Sequence, residues 1–369
     1  MKIKKAEIFI VDLPLIHPFT ISFGTIDKRS TVIVKLTSDE GIVGWGEAAA
    51  LPAPIFSYET VDTAVLMLEK YLIPAIIEKA FNTPTEFITA YATVKGHPFA
   101  KCGLECAFWC LLAKKKNKSL SALFGGTQTK IPVGESIGIH ATIESTLEEI
   151  RIRLKEGYRR IKIKIKPEWD ISLVEAVRKA FGDIPFMVDA NSAYTLNDVA
   201  LLKKMDEYHL IMIEQPLGDS DIIDHATLQK QMKTPVCLDE SILSLDDARK
   251  AIELGACKIV NIKPGRVGGI VESIKIHDYC QKQGIPVWCG GMLESGIGRA
   301  FNIALASLPN FTLPADMSPT PVFYKEDIIN PTYTVSPDGC IDVSREVGLG
   351  YAVDEEKIGH YASARKTVQ

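Results

Sequence analysis

No stretch of this 369-residue sequence stays apolar for long enough to span a bilayer, and Met1-Lys2-Ile3-Lys4-Lys5-Ala6-Glu7 leads into alternating strand-like sequence instead of an uninterrupted apolar signal region. A cytoplasmic protein with no membrane partner is the expectation. Excess positive charge is missing as well: the formal net charge is -4, which leaves no electrostatic footprint for nucleic acid. Cysteines number only 8, and without a signal segment they read as reduced thiols, not as a disulfide framework. Cys102, Cys106 and Cys110 recur every four residues on an expected helix, but Leu104, Ala107, Phe108 and Leu111 around them are apolar too. Free cysteine behaves as a small buried hydrophobe, so the stripe reads as core and not as a metal or redox site.

What is present points to a globular protein acting on small molecules. The apolar fraction of 46% and charged fraction of 24% are ordinary for a folded domain, and the length calls for two domains. Residues 1–125 read as an α+β unit: a strand at Ile8–Leu13, a hairpin of Val32–Leu36 and Ile42–Glu47 turning at Ser38-Asp39-Glu40-Gly41, then helices near 59–80, 84–95 and 98–116. Between the first strands, Pro18-Phe19-Thr20-Ile21-Ser22-Phe23-Gly24 reads as a loop. Its phenylalanines either pack on their own domain or form a lid over a ligand.

From about residue 126 to 324 the texture changes to apolar runs alternating with helices. The runs are Ile131–Ile139, Arg160–Ile165, Phe186–Asp189, Leu210–Glu214, Val236–Asp239, Lys258–Ile262, Ile285–Cys289 and Phe311–Leu313. Eight such runs argue for a β/α barrel rather than an open sheet. After 325, Thr332–Val335 and Cys340–Val343 are strand-like around Pro337-Asp338-Gly339, and this tail (325–369) is expected to return to the first domain.

Five charged residues close five of these runs at nearly equal pitch: Lys164, Asp189, Glu214, Asp239 and Lys263, in steps of 25, 25, 25 and 24 residues. One β/α unit consumes about that much chain, so all five belong to one end of a barrel, where such folds build active sites. A single acid at a strand end can serve only to cap the next helix. Three acids converging in a barrel mouth repel one another unless a cation neutralises them. An all-oxygen set with no neighbouring His or Cys favours a hard divalent ion, Mg²⁺ in the first instance, with Mn²⁺ or another divalent ion as a substitute.

In Arg160-Ile161-Lys162-Ile163-Lys164-Ile165-Lys166, strand periodicity puts Lys162 and Lys164 on one face. Two ammonium groups so close are expected to depress each other's proton affinity, leaving Lys164 able to act as a base near neutral pH. Lys263 comes from a strand roughly opposite, with Arg266 as a second cation. A metal flanked by two basic groups suits removal of a weakly acidic proton beside a carboxylate, the combination described for enolase-superfamily sites. Two other readings stay open: a Schiff-base aldolase, which needs a lysine but no metal triad, and a metal-dependent binding protein, which has no need of opposed lysines.

The sequence resembles the muconate-lactonising subgroup of the enolase superfamily, and most of all its o-succinylbenzoate synthases and N-acylamino acid racemases. The resemblance is carried by Gly44-Trp45-Gly46-Glu47, Lys162-Ile163-Lys164, Asp189-Ala190-Asn191, Ile213-Glu214-Gln215-Pro216 and Asp239-Glu240-Ser241. Its most specific parts are Lys263-Pro264-Gly265-Arg266-Val267-Gly268-Gly269 and Gly290-Gly291-Met292-Leu293-Glu294-Ser295-Gly296-Ile297-Gly298-Arg299. The resemblance implies a capping domain on a modified (β/α)7β TIM barrel, with Mg²⁺ on Asp189, Glu214 and Asp239. It makes Lys164 and Lys263 the opposed catalytic pair, supported by Lys162, with Asn191 and Glu240 behind the metal ligands. It gives Ser136, Phe19, Phe23, Leu51, Gly290, Gly291, Met292 and Phe323 to a small carboxylate substrate. It further implies dehydration to o-succinylbenzoate for menaquinone synthesis, with N-acylamino acid racemisation as the alternative and dipeptide epimerisation behind both, in a homo-oligomer.

Overall fold

The computed structural model describes residues 1–21 and 24–369, without side-chain placement for 21, 24, 26 and 27. Strands β1 (Ile3–Ile21), β2 (Gly24–Ser38) and β3 (Val43–Ala48) form an antiparallel sheet. Their β2–β3 turn is the expected Ser38–Gly41, closed by Gly41 N donating to Ser38 O at 3.1 Å. Residues 18–21 and 24 of the expected loop at 18–24 are instead strand, the end of β1 and the start of β2, with Phe19 opposite Ile26 and Thr20 opposite Thr25 beyond an irregularity between Pro14 and Phe19. The two prolines break the alternation that marks the strand in sequence, but on an edge the ladder resumes past them. Phe23 lies outside the described residues.

Helices Val61–Met67, Pro84–Thr89 and Pro98–Lys115 follow, the first two shorter than their apolar patterns suggest. Pro98–Lys115 lies directly on β3. A Cβ on Gly46 would stand 2.2 Å from Gly103 O and 2.5 Å from Ala107 N, so glycine there is what lets the backbones meet. All eight cysteines are buried free thiols, and Cys102, Cys106 and Cys110 sit inside this packing.

The second sheet is a barrel of eight parallel strands: β4 (Lys130–Ile137), β5 (Arg160–Lys164), β6 (Phe186–Asp189), β7 (Ile213–Glu214), β8 (Val236–Leu238), β9 (Ile259–Ile262), β10 (Val287–Cys289) and β11 (Ala315–Asp316). Seven are each followed by helical chain, giving a modified (β/α)7β barrel. The eighth strand is Ala315–Asp316, paired with β4, and not Phe311–Leu313. That run closes the circle on the other side: Thr312 N donates to Val287 O at 3.2 Å. Inside, strand alternation stacks an apolar layer of Met187, Met212, Cys237, Ile259 and Trp288 beneath the charged ends of the same strands.

The C-terminal chain divides. Strand β12 (Ile329–Asn330) pairs with β14 (Ala352–Val353), β13 (Cys340–Asp342) adds to β4 of the barrel, and β15 (Ala362–Val368) pairs with β1 of the cap. Thr332–Val335 is not a strand. No helix among the described residues is long and apolar enough to cross a membrane.

Buried carboxylates join cap to barrel at helix N-termini, where unpaired N–H groups favour an anion. Glu47 accepts from Ser295 Oγ at 2.6 Å and Gly298 N at 3.0 Å at the start of helix Gly296–Ala306. Glu105 accepts from Val271 N at 2.8 Å in helix Ile270–Lys282 and from Trp109 Nε1 at 2.9 Å. Burial pushes the Glu105 carboxyl up to about 7. The folded state thus binds the proton more tightly than the unfolded chain, and this group's ionisation costs stability as pH rises from about 4.5 to 7. Glu105→Gln keeps an acceptor and removes that cost. Chemical denaturation is expected to show the variant gaining roughly 1–3 kcal/mol on wild type between pH 5 and pH 8; an equal difference at both pH values contradicts this.

Candidate active site

Five successive barrel strands, β5 to β9, deliver Lys164, Asp189, Glu214, Asp239 and Lys263 to one rim, so the two lysines stand half a barrel apart with the acids between them. Asp189 lies beside both Lys164 and Glu214 in register. All three acids are at most 1% exposed, and each finds an ammonium. Lys164 Nζ is 2.6 Å from Asp189 Oδ2, Lys162 Nζ 3.0 Å from Glu214 Oε2, and Lys263 Nζ 2.6 Å from Asp239 Oδ2. Lys162 also reaches Asp316 Oδ2 at 2.5 Å and Asp189 Oδ2 at 3.4 Å.

These pairings set the proton affinities. Burial works against ionisation of Asp189, yet the Lys164 and Lys162 ammoniums outweigh it and hold its carboxyl below the usual range. Glu214 goes the other way: burial and the neighbouring Asp189 push it up against the pull of the lysines. Lys162 corrects the sequence-based expectation. Burial opposes its charge, but Asp316, Glu214 and Asp189 together raise its proton affinity, so Lys162 is a firm cation here.

The surrounding groups fix the acids. Asn261 Nδ2 donates to Glu214 Oε1 at 2.6 Å, and Asn191 Nδ2 to Glu240 Oε1 at 3.1 Å. Gln215 Oε1 accepts from Asp239 N at 3.0 Å, holding the loop after β8. Burial, then the Asp189 charge, pushes Glu240 up to about 7. Arg266 is not a second cation facing the lysine cavity: it is buried behind Asp239, bonded to that carboxylate and, at 2.7 Å, to Ile242 O.

A cavity of about 70 Å³ opens between the lysines. Ser136, Lys162, Lys164, Lys263, Gly291 and Phe323 line it, together with Phe19 from the capping hairpin. Phe19 meets Phe323 edge to face with ring centroids 5.9 Å apart, and Ile139 N donates to Thr20 O at 2.9 Å, docking the hairpin on the barrel mouth. Leu51, Gly290 and Met292 do not line this cavity, although all three are near the cap–barrel junction or the loop after β10. Gly290 acts through its lack of a side chain: a Cβ there would stand 2.7 Å from Lys263 Cε.

Sequence reading missed several contributors. Asn261 and Arg160 each lie two residues before a lysine already singled out, and strand alternation places them on the same inward face. Asp316 breaks the even pitch and Ser318 carries no local signature, while Leu293 and Arg299, which also line the cavity, lie inside the Gly290–Arg299 motif without having been given a role.

The residues suit a hard divalent ion in kind. The donors are carboxylate oxygens, and Asn191 Oδ1, Asn261 Oδ1 and Glu240 Oε2 are buried oxygens without a hydrogen-bond partner around them. Among the described residues no three acid, thiol or imidazole groups form a closed cluster as they stand, because the carboxylates are turned to the lysines.

Residues 5–125 match the mandelate racemase / muconate lactonizing enzyme N-terminal domain, and residues 145–357 the enolase C-terminal domain-like family. The chain is 48% identical over 363 residues to an o-succinylbenzoate synthase of Bacillus subtilis, covering 98% of this chain and 97% of that one. It is 44% identical over 366 residues to an N-succinylamino acid racemase of Amycolatopsis, covering 99% of each. A solved enolase-superfamily structure from Listeria innocua superposes with a TM-score of 0.96 at 40% identity, covering 100% of this chain and 99% of that one. A dipeptide epimerase from Enterococcus faecalis, solved with Mg and a dipeptide, gives 0.88 at 26% identity, covering 95% of this chain and 100% of that one. The chain is an enzyme of the enolase superfamily, closely related to its o-succinylbenzoate synthase and N-succinylamino acid racemase members.

Proposed function

We propose that this enzyme dehydrates 2-succinyl-6-hydroxy-2,4-cyclohexadiene-1-carboxylate to o-succinylbenzoate, and that Lys164, Lys263, Asp189, Glu214 and Asp239 carry the reaction. The observation that supports this reading best is the pair of lysines half a barrel apart, each held at 2.6 Å by one of the acids between them. Asp189, Glu214 and Asp239 would hold Mg²⁺, which supplies positive charge for the carboxylate of the substrate and so makes its α-proton removable.

Lys164 parts from Asp189 and takes the α-proton with its neutral amine. The resulting ammonium returns that proton to the leaving hydroxyl on the same face, so one proton and one hydroxide depart as water and the ring becomes aromatic. Lys263 remains protonated on the opposite side and stabilises the negative charge that develops between the two events. Lys162, fixed as a cation by Asp316 and Glu214, keeps positive charge two residues from Lys164. Asn191 steadies Asp189 through its backbone N–H at 3.0 Å and holds Glu240 with its side chain, and Arg266 fixes Asp239. Ser136 and the Phe19–Phe323 pair shape the cavity and exclude water.

A second reading is racemisation of an N-acylamino acid, N-succinyl in the relative named above. The same opposed lysines favour it, since a proton taken by one on one face can be replaced by the other on the opposite face.

Lys164→Ala is expected to lower kcat for either reaction by at least about a thousandfold with its fold intact by circular dichroism. Turnover within tenfold of wild type contradicts the proposed base. Removing metal with a chelator is expected to abolish turnover until Mg²⁺ is restored. Side-by-side assays of the Mg²⁺-loaded enzyme decide between the readings: dehydration is expected to have the higher kcat/KM, and a racemase value well above it reverses the order.

A further inference from the structure

Both substrates considered above carry two carboxylates: one beside the carbon that loses its proton, and one at the end of a succinyl arm. The Lys164–Lys263 site accounts for the first only. The cavity offers three ammoniums and one guanidinium, and the ammoniums are already engaged: Lys162 by three carboxylates, Lys164 by Asp189 and Lys263 by Asp239. Arg299 is also ion-paired but keeps one buried donor without a partner. It rises from the first turn of helix Gly296–Ala306, is 2% exposed, and lines the same cavity. Its Nη1 donates to Asp316 O at 2.6 Å and its Nη2 lies 3.1 Å from Glu294 Oε2, while its Nε–H has no partner.

Glu294 does not spend itself on Arg299 alone, because it also accepts from Asn302 Nδ2 at 2.8 Å and Met292 N at 3.0 Å. The loop after β10 sets the spacing. A Cβ on Gly290 would touch Lys263, and one on Gly291 would stand 3.1 Å and 3.3 Å from the two terminal nitrogens of Arg299. The glycine pair therefore separates two buried cations, Lys263 on one side and Arg299 on the other. Ser136 and Ser318 add hydroxyls to the same wall.

Resting on the dicarboxylate substrates proposed above, we propose that Arg299 binds the distal carboxylate of the succinyl arm and makes the site selective for substrates that end in an anion. A guanidinium fork matches a carboxylate in shape, and charge-assisted hydrogen bonds in a buried cavity are the strong ones.

Calorimetric titration of the Mg²⁺-loaded enzyme tests this, with o-succinylbenzoate and with 2-butanoylbenzoate, in which a methyl group replaces the distal carboxylate. Wild type is expected to bind o-succinylbenzoate about 10- to 100-fold more tightly. Arg299→Met is expected to reduce that preference to within about threefold while still binding 2-butanoylbenzoate, and Arg299→Lys to retain part of it. A preference unchanged in Arg299→Met, or equal loss of both ligands in both variants, overturns the proposal; in the second case Arg299 only holds the loop. A wild-type enzyme that shows the preference but turns over neither substrate overturns the reaction and leaves this assignment standing.

Discussion

Charges buried in the barrel mouth have to neutralise one another, and most of the architecture above follows from that constraint. Four carboxylates, from the buried Asp189, Glu214 and Asp239 and the half-buried Asp316, stand among Lys162, Lys164, Lys263, Arg160 and Arg266. Unpaired, each buried ion costs several kcal/mol. Paired, each waits in place: Asp316 anchors Lys162 from the last strand, and Arg160 anchors Asp316 at 2.7 Å while lying over the Trp288 ring. In the proposed reading Asp189, Glu214 and Asp239 would hold the metal, and Lys164 and Lys263 flank them from opposite strands.

The cap takes part in the same arrangement. Arg29 of β2, buried and bonded only to carbonyls, joins Ala49 O and Ala50 O of the cap to Leu293 O beside the cavity. Glu47 and Glu105 enter the barrel as caps on helix N-termini. Gly44-Trp45-Gly46-Glu47 is thus a joint: its glycines admit helix Pro98–Lys115, and its glutamate reaches the helix that carries Arg299.

Much of the barrel was legible because a parallel strand followed by a helix consumes a nearly fixed length of chain, so Lys164 through Lys263 announce both fold and site. The eighth strand broke that rule. It is two residues long, and its Asp316 stands 53 positions after Lys263. The hairpin end near Phe19 reads as a loop because Pro14 and Pro18 interrupt the alternation, although pairing resumes past them. The state of Lys162 differs from the expectation for another reason: the sequence shows adjacent ammoniums, whereas the three carboxylates that hold its proton come from β6, β7 and β11. Local spacing reports repulsion between neighbours in one strand and is silent about partners across a barrel.

Three acids standing between two opposed lysines are the centre of the proposed chemistry, and a crystal structure of the enzyme with Mg²⁺ and o-succinylbenzoate tests their roles directly. The expected result is one Mg²⁺ with oxygens of Asp189, Glu214 and Asp239 at about 2.0–2.1 Å, and Lys164 and Lys263 on opposite faces of the ligand. An ion bound elsewhere, or both lysines on one face of the ligand, would contradict it.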